Sequence, residues 1–512
     1  MACQKGIRVE FFFLKKEDGI MKKIKSVVAG FASLVISVTV LAESPRIMSV
    51  WLKDGNVQTF NVSEVDSVSF GFSSLQQSPD NLDSWTLPPV LNQPILLTST
   101  SQGNEYVEAG NRFSQDCFSR LENKKGPNIF FSPISLQFAL AMCANGAEPK
   151  GTSEITELLG FKEGSVTERM DNTNRYYNNV LLSLLSPRDS ITFKLANALW
   201  VHEECYALEP FLTNVRSNYY TTVRKLDFEG HLKEAKDTIN KWASIMTDSL
   251  INELSADINT LTVLVINNAA CFKGKWNRPF DRTYPGFFLA KDNEKQTVDM
   301  MRTTEIRPYK ETDDYEMVEL IYGRPTSQDG AQSNLNQVDY NWGGGSSTSQ
   351  GGTLSNGGEG TYSMLVLLPK EGKDLNEVFD SINWTNVSLE RERVELNMPK
   401  FKIKNSLSLN LPLQALGIRD IYSEYYHAVT PPPARPIIQV SDIVQDAYVS
   451  VDEDGTEAAA VTTVVVVAGG AAFQQKTMNV NRPFGFVIRE KTTGMLLFMG
   501  KVNKIEDVSE EN

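Results

Sequence analysis

The sequence predicts a large α+β protein of the multi-domain type from about residue 105 onward. Three observations support this fold class. Apolar residues recur at helical spacing near the start of this region, with polar residues between them: Phe113, Cys117, Phe118 and Leu121. Two apolar, β-rich runs at 261–267 and 363–368 have the length of buried strands. Residues 484–488 and 495–499, joined through Thr492-Thr493-Gly494, are typical of a terminal hairpin.

The first 42 residues have the features of an export signal. Basic residues at 22–25 precede an apolar run at 27–41, and small residues at 40–42 suit a cleavage site, with Glu43 as the mature start. Residues 1–20 are an upstream extension, and 21–42 are the predicted signal peptide. The apolar run is too short for a comfortable membrane span. We therefore expect a bacterial protein exported to the periplasm or medium, without a membrane span.

Residues 43–74 predict a short β module, because Asp54-Gly55 lies between two alternating runs and is a strong hairpin signal. A surface-tethering role and an inert spacer both remain open for this module. Residues 75–104 are rich in Ser, Gln, Asn, Pro and Thr and predict a linker.

The main domain is predicted at 105–506. Alternating apolar residues at 394–403 indicate a half-buried strand with a break at Pro399. Residues 325–360 are rich in Gly, Ser, Gln and Asn, which predicts a low-complexity insertion. The insertion lacks the lysine and the strand-to-helix context of a phosphate-binding loop.

Composition excludes several function classes. The chain has 512 residues, a 41% hydrophobic content that suffices for a large core, and a formal charge of −13 that argues against nucleic acid as a partner. None of the five cysteines has metal-ligand spacing, and Cys117, Cys143 and Cys271 are predicted to be reduced core residues. The three histidines have no nucleophile or ligand cluster near them. We therefore expect no metal, no cofactor and no histidine-dependent hydrolase.

The stretch from 453 to 472 is the most informative part of the chain. A glycine at 455 precedes three alanines, a β-branched run at 461–467 and a patch of small residues. Small residues enter a crowded sheet without clashing, and β-branched residues favour strands, so the stretch suits an additional strand. An ordinary buried strand or helix is the alternative. A calcium loop is rejected, since its first position would be Ser450 and its twelfth Val461, where a Glu is required.

Ordered blocks along 105–505 resemble the serpin family of protease inhibitors. Among them are Asn128-Ile129-Phe130-Phe131-Ser132-Pro133-Ile134-Ser135, Phe193-Lys194-Leu195-Ala196-Asn197-Ala198-Leu199-Trp200, Asn267-Asn268-Ala269-Ala270-Cys271-Phe272, Leu396-Asn397-Met398-Pro399-Lys400-Phe401 and Asn481-Arg482-Pro483-Phe484. The resemblance implies three β-sheets, about nine helices and an exposed reactive loop. It also implies a monomer without enzymatic activity, which traps a target serine protease as a covalent acyl-enzyme while the loop inserts into the central sheet.

The resemblance assigns roles to particular residues. The hinge of the reactive loop comprises Glu453, Gly455, Thr456, Glu457, Ala458, Ala459, Ala460, Val461 and Thr462. In it Gly455 allows a sharp turn, Thr456 enters the sheet first, and Val461 departs from the preferred smallest residues and slows insertion. The sheet-opening region comprises Ser132, Pro133, Ser135, Asn240, Asn268, Trp276 and Gln445, with Gln445 in place of the usual His.

The resemblance also implies where the scissile bond lies, because the spacing usual in the family can be counted forward from Gly455 and back from Pro483. The two counts bracket a segment that contains Ala468, Gly469, Gly470, Ala471, Ala472 and Phe473. It has no Arg or Lys, so elastase-like or subtilisin-like targets are favoured, and Phe473 leaves chymotrypsin-like and papain-like proteases open. A non-inhibitory binding or carrier protein, a hydrolase and an adhesive surface protein are the alternatives.

Overall fold

The computed structural model describes residues 9–13, 22–26, 47–51, 57–61, 101–123, 126–186, 190–254, 258–323, 361–422, 426–430, 440, 443–456 and 475–506. The chain divides into two compact units, Met1–Ser84 and Trp85–Asn512. The first unit contains two antiparallel strand pairs: β1 (Val9–Phe13) with β2 (Lys22–Ser26), and β3 (Ile47–Trp51) with β4 (Val57–Asn61). The second pair flanks the Asp54-Gly55 turn signal.

The described residues of the second unit form eight α-helices, compared with about nine expected. The helices are α1 (Ser101–Phe118), α2 (Pro133–Ala144), α3 (Pro149–Leu158), α4 (Val166–Leu185), α5 (Glu209–Tyr219), α6 (Leu232–Met246), α7 (Leu375–Ser381) and α8 (Asn410–Ala415). A short 3-10 helix follows at Asp420–Tyr422. The first helix begins at Ser101, inside the segment that the sequence predicts as a linker.

The strands of the second unit follow in chain order. They are β5 (Ile129–Phe131), β6 (Ile191–His202), β7 (Tyr206–Ala207), β8 (Thr222–Leu226), β9 (Leu264–Lys275), β10 (Arg282–Leu289), β11 (Lys295–Glu311), β12 (Tyr315–Ile321), β13 (Tyr362–Pro369), β14 (Glu390–Pro399), β15 (Phe401–Ser408), β16 (Val429–Thr430), β17 (Val444–Val451), β18 (Gly455–Thr456), β19 (Lys476–Asn479), β20 (Phe484–Glu490) and β21 (Leu496–Val502). The terminal hairpin predicted from the sequence is the antiparallel pair β20–β21.

The predicted hinge residues Gly455 and Thr456 lie in a six-stranded sheet. Its strand order is β15-β17-β18-β9-β6-β8, and all neighbouring pairs are antiparallel except β6 and β8. Strands β17 and β9 therefore run in the same direction, and the two-residue strand β18 lies between them at one end. A strand that continued from β18 would run between β17 and β9.

The other large sheet has nine strands in the order β19-β14-β11-β12-β13-β20-β21-β5, with β10 paired to β11. It consists of two groups joined by the 17-residue strand β11. One part of β11 pairs with β10 and β14, and its last residues pair with β12. The nine-stranded sheet therefore contains two of the three expected sheets, connected edge to edge through β11. The six-stranded sheet is the third.

Strand β9 differs at both ends from the run predicted at 261–267. The run predicted to start at Leu261 begins as a strand at Leu264, because Leu261 lies in a turn and is 74% exposed. The strand then continues past the polar pair Asn267-Asn268, since both side chains have hydrogen-bond partners. The break at Pro399 separates β14 from β15, which belong to different sheets.

The apolar core lies on one face of the six-stranded sheet, and α6 covers part of the opposite face. On the core face, β6 contributes Leu195 and Leu199. On the opposite face, Trp200 packs in a second cluster with Ile239 and Trp242 of α6. These alternating contacts define an inner face, toward the main core, and an outer face, toward α6.

Candidate functional site: the hinge of the six-stranded sheet

The turn that leads into β18 is held by the side chain of Asp452. Its Oδ1 accepts hydrogen bonds from the N–H groups of Asp454 at 2.9 Å and Gly455 at 3.0 Å. The N–H of Asp452 also donates to the carbonyl of Gly455 at 2.9 Å. Aspartate commonly stabilises tight turns through such contacts with its own backbone. The turn thus connects β17 to β18 as a short hairpin.

Gly455 is required by the close packing of β18 against β9, in addition to its predicted role in the turn. A Cβ at this position would lie 2.2 Å from the carbonyl oxygen of Gly274 and 2.8 Å from Cα of Lys275. Both contacts are with backbone atoms, so no rotamer change relieves them. Glycine therefore permits the close approach of β18 to β9.

Thr456 already occupies a position inside the sheet. It pairs with Val451 of β17 on one side and with Gly274 of β9 on the other, and it is 1% exposed. Its Oγ1 lies 2.7 Å from the hydroxyl of Tyr322. The sequence predicts Thr456 as the first residue to enter the sheet, and in the structure Thr456 lies between β17 and β9.

Trp276 fixes the hinge turn from the opposite side. Its backbone N–H donates to the carbonyl of Asp454 at 2.8 Å, and its indole Nε1 donates to the carbonyl of Asp452 at 3.0 Å. The N–H of Phe280 donates to the carbonyl of Glu453 at 2.9 Å. Three consecutive carbonyls of the turn are therefore held by the segment that follows β9.

The turn contains three consecutive carboxylates, and their pKa values do not all shift in the same direction. Burial and the neighbouring carboxylates raise the pKa of Asp452, although two backbone N–H groups oppose the shift. Burial likewise raises the pKa of Asp454. Burial alone would raise the pKa of Glu453, but the hydrogen bond and charge of Lys400, whose Nζ lies 2.5 Å from its carboxylate, outweigh burial and lower that pKa.

Gln445 and Ser132 form a buried double hydrogen bond in the sheet-opening region. The N–H of Ser132 donates to Oε1 of Gln445 at 2.7 Å, and Nε2 of Gln445 donates to the carbonyl of Ser132 at 2.9 Å. The hydroxyl of Ser132 donates to the carbonyl of Leu497 at 3.0 Å. Ser132 also caps α2, with Pro133 in the first turn. The amide of Gln445 thus links β17 to the start of α2.

A second set of polar contacts links α2 to β9 and β6. The hydroxyl of Ser135 donates to Oδ1 of Asn268, and Nδ2 of Asn268 donates to Oδ1 of Asn197 at 2.6 Å. Nδ2 of Asn197 in turn donates to the carbonyl of Tyr219 at 2.8 Å. Sequence reasoning missed the role of Asn197, although it lies within the motif at 193–200.

Family comparisons agree with this geometry. A family model described as Serpin (serine protease inhibitor) matches residues 108–333 and 352–505. The chain belongs to the serpin family. Human Serpin B12 is 30% identical over 438 residues, covering 77% of this serpin and 98% of the relative. A serpin-like protein of Thermococcus kodakarensis is 30% identical over 449 residues, covering 83% and 91%.

Solved structures match the fold of this serpin over most of its length. Tengpin, a thermophilic serpin in its native state, has a TM-score of 0.65 and 22% identity, covering 81% of this chain and 98% of the other. Human thyroxine-binding globulin, solved in complex with thyroxine, has a TM-score of 0.64 and 25% identity, covering 80% and 100%.

Asn240 lies apart from the other sheet-opening residues of this serpin. It is on α6, which covers the outer face of the sheet, and its Oδ1 accepts from the N–H of Leu254 at 3.0 Å. The hinge residues from Glu457 to Thr462 and the predicted scissile region from Ala468 to Phe473 lie outside the described residues.

Further features of the described residues of this serpin concern its free cysteines, metal-ligand groups, membrane-spanning helices and cavities. Its cysteines Cys117, Cys143, Cys205 and Cys271 are free and buried. No group of three His, Cys, Asp or Glu side chains in the described ranges could hold a metal ion. No helix in the same ranges is long and apolar enough to span a bilayer. A cavity of about 600 Å³ lies between α1 and α7, with Arg112, Asp116 and Phe379 among its lining residues.

Proposed function

We propose that this serpin inhibits serine proteases by a suicide mechanism, in which the reactive loop is cleaved, retained as an acyl-enzyme and inserted into the six-stranded sheet. One observation carries the proposal: Gly455 and Thr456 are already paired between β17 and β9, and the chain direction there leads into the sheet. Insertion of the rest of the loop would extend an existing strand, as in other cases of strand addition to a sheet.

The register of β18 determines where each inserted residue would lie. Each step along the loop moves one residue back along both neighbouring strands, since both pairings are antiparallel. Ala458 would face Phe272 and Val449, and Ala460 would face Ala270 and Ala447. The methyl side chains of these alanines suit such buried neighbours. Small residues at these positions therefore allow insertion without overpacking.

The same register brings Thr462 to the polar contacts of the sheet-opening region. It would lie opposite Asn268 of β9 and Gln445 of β17. A threonine hydroxyl there has amide groups on both sides, so a buried hydroxyl would find hydrogen-bond partners. Residue 461 would point to the outer face, opposite Ala269 in the cluster beneath α6. The bulk of Val461 would then meet α6 rather than the main core.

The chemistry of trapping needs no catalytic group from the serpin. The protease serine Oγ attacks a loop carbonyl between Ala468 and Phe473, the peptide C–N bond breaks, and the new amino terminus takes a proton and leaves with the carboxyl-terminal segment. The remaining ester joins protease and serpin. Insertion along the 12 residues of β9, roughly 40 Å, would then displace the protease and disturb its oxyanion hole before water attacks the ester.

The sequence of the scissile region supports elastase-like or subtilisin-like targets, because Ala and Gly suit small specificity pockets. Papain-like cysteine proteases remain a second class of target through Phe473. We also propose that this serpin is a monomer of bacterial origin, exported through the signal at 21–42 to the periplasm or medium. The β module at 43–74 would then be retained in the mature protein, as a surface tether or as a spacer.

A carrier function is the alternative, and the cavity between α1 and α7 is the observation that favours it. Thyroxine-binding globulin shows that a protein of this fold can bind a small molecule. The hinge argues for inhibition instead, because a threonine seated in the sheet and followed by alanines is suited to insertion. A carrier does not require these residues.

The test is to mix the purified protein with pancreatic elastase and separate the products on a denaturing gel. We expect a covalent band near the summed mass and a released carboxyl-terminal peptide, whose mass identifies the scissile bond. A matched variant, Thr456→Arg, should be cleaved at the same bond without forming the band, because a charged side chain cannot occupy that buried position. Cleavage of the wild-type protein without a covalent band, by elastase, subtilisin, chymotrypsin and papain alike, would contradict the proposal.

A further inference from the structure

Tyr322 lies beside the hinge, immediately after β12, and it is fully buried. Its ring stacks on Trp276 with a centroid distance of 4.4 Å and meets the edge of Phe272 at 4.8 Å. Its backbone N–H donates to the carbonyl of Tyr362 at 3.0 Å. Ring and backbone are therefore both fixed, and the hydroxyl is held at one point, 2.7 Å from Oγ1 of Thr456.

The two partners of this hydrogen bond differ in how they are held. Tyr322 adjoins the nine-stranded sheet and is fixed by side-chain packing on two sides, whereas Thr456 belongs to the first two residues of the reactive-loop strand. Both hydroxyls are buried, so separating them within the protein would leave unsatisfied polar groups. The bond therefore favours the state in which Thr456 lies in the sheet.

We propose that Tyr322 is a positioning residue for the reactive loop, whose hydroxyl holds Thr456 in the six-stranded sheet before a protease arrives. An ordinary intramolecular hydrogen bond shifts an equilibrium roughly five-fold. We call the hinge seated when Thr456 lies in the sheet and released when it does not. Tyr322 would thus shift the equilibrium between these two states by about that factor. Because the seated hinge has completed the first step of insertion, Tyr322 would also increase the fraction of encounters that end in a covalent complex. This second consequence rests on the proposed inhibitory function.

The effect of Tyr322 on the position of Thr456 is tested on the unreacted protein, without a protease. Hydrogen exchange of the peptide covering 452–462 is measured in the wild type, Tyr322→Phe, Thr456→Val and the double variant. Each single variant should exchange several-fold faster in this peptide. The double variant should exchange no faster than the single variants, because both partners of one hydrogen bond are then absent. An unchanged rate in Tyr322→Phe, or effects that multiply in the double variant, would overturn the proposal.

Tyr177→Phe is the matched control. Its hydroxyl is also buried and donates to Oε1 of Gln137 at 3.1 Å, in a contact between α4 and α2 remote in sequence from the hinge. This variant removes one buried tyrosine hydrogen bond, as Tyr322→Phe does, but should leave exchange of the 452–462 peptide at the wild-type rate. Equal acceleration in both variants would show a general loss of stability and overturn the role of Tyr322.

The second measurement follows the products with elastase. Tyr322→Phe should give up to about five-fold more cleaved serpin per covalent complex than the wild type, whereas Tyr177→Phe should match the wild type. Faster hinge exchange with an unchanged product ratio would overturn the part of the proposal that concerns trapping. If the wild type forms no complex with any protease, the proposed function fails, and the exchange data still decide whether Tyr322 seats the hinge.

Discussion

Moving one carboxylate by a single residue in the reactive loop should abolish trapping. The double variant Glu457→Ala/Ala458→Glu keeps the composition of the loop and transfers the negative charge from one face of the inserted strand to the other. If the loop inserts in the register set by β18, residue 457 would point to the outer face, opposite Lys273, and residue 458 would point to the inner face, opposite Phe272. The wild-type glutamate is thus compatible with insertion.

The size of the effect follows from burial at the inner face. Phe272 and Val449, the two neighbours of residue 458 in the inserted strand, are 5% and 3% exposed and carry no charge. Placing an unpaired carboxylate between them would cost about 4 kcal/mol even after relaxation. If this cost applies at the rate-limiting step of insertion, insertion slows roughly a thousand-fold. Hydrolysis of the acyl-enzyme would then proceed first.

The assay is the ratio of covalent complex to cleaved serpin after reaction with elastase, measured by densitometry over a range of molar ratios. The transposed variant should yield cleaved protein almost exclusively, and the control variant Glu457→Ala should retain the complex. The melting temperature after loop cleavage gives a second readout, since insertion adds a strand: it should rise for Glu457→Ala and not for the transposed variant. A transposed variant that traps elastase as well as the wild type would refute the register.

Three further changes test the hinge itself by urea unfolding of the unreacted protein. Gly455→Ala should destabilise it by about 1–3 kcal/mol through overpacking against backbone, whereas Gly126→Ala, whose new Cβ would meet only side-chain atoms, should have little effect; equal effects would contradict the packing role. Asp452→Asn keeps the turn acceptor and removes a carboxylate whose pKa is raised by burial. Because ionisation of that carboxylate opposes folding, this variant should be more stable than the wild type at pH 7. The difference should shrink as pH falls below the raised folded pKa and vanish below the ordinary value of 3.8. Glu453→Gln should instead lower the stability of the protein at pH 7, because Lys400 holds the pKa of this carboxyl below 4.5. The stabilisation lost is below about 1 kcal/mol, since the pair is partly exposed. It should be present at pH 7 and disappear as pH falls below 4.5 through the folded pKa.

The family could be identified from the sequence, and the hinge predicted there, because both depend on local patterns. Thr456 and the alanines that follow form a contiguous signal, and the motifs occur in a fixed order. Gln445 was also assigned from the sequence, and the structure shows the atoms involved: its amide binds both backbone polar groups of Ser132, 313 residues away. The identity of that partner depends on the folded arrangement and has no local signature.

Other features could not be predicted, for physical reasons. Tyr322 resembles any core aromatic in the sequence, and its partner Thr456 is 134 residues away. Strand β11 has no clear alternating pattern in the sequence, because Met300 and Met301 are both buried. The close packing at Gly455 could not be predicted, because a close approach of two backbones and a tight turn both favour glycine. Only the folded position of Gly274 shows the close approach.

The low-complexity insertion begins next to Tyr322, and this location makes it a site for attaching a reporter. The chain on either side of residues 324–360 is tied together by a hydrogen bond from Tyr322 N–H to the carbonyl of Tyr362, and Gly323 N–H donates to the carbonyl of Lys275 at 2.9 Å. Because the ends are already joined, the length of the segment between them changes the closure entropy only slowly. A small folded domain inserted at residue 324 would be attached two residues from Tyr322. Because Tyr322 is the partner of Thr456, such a label would lie close to the hinge while leaving residues 453–456 unchanged.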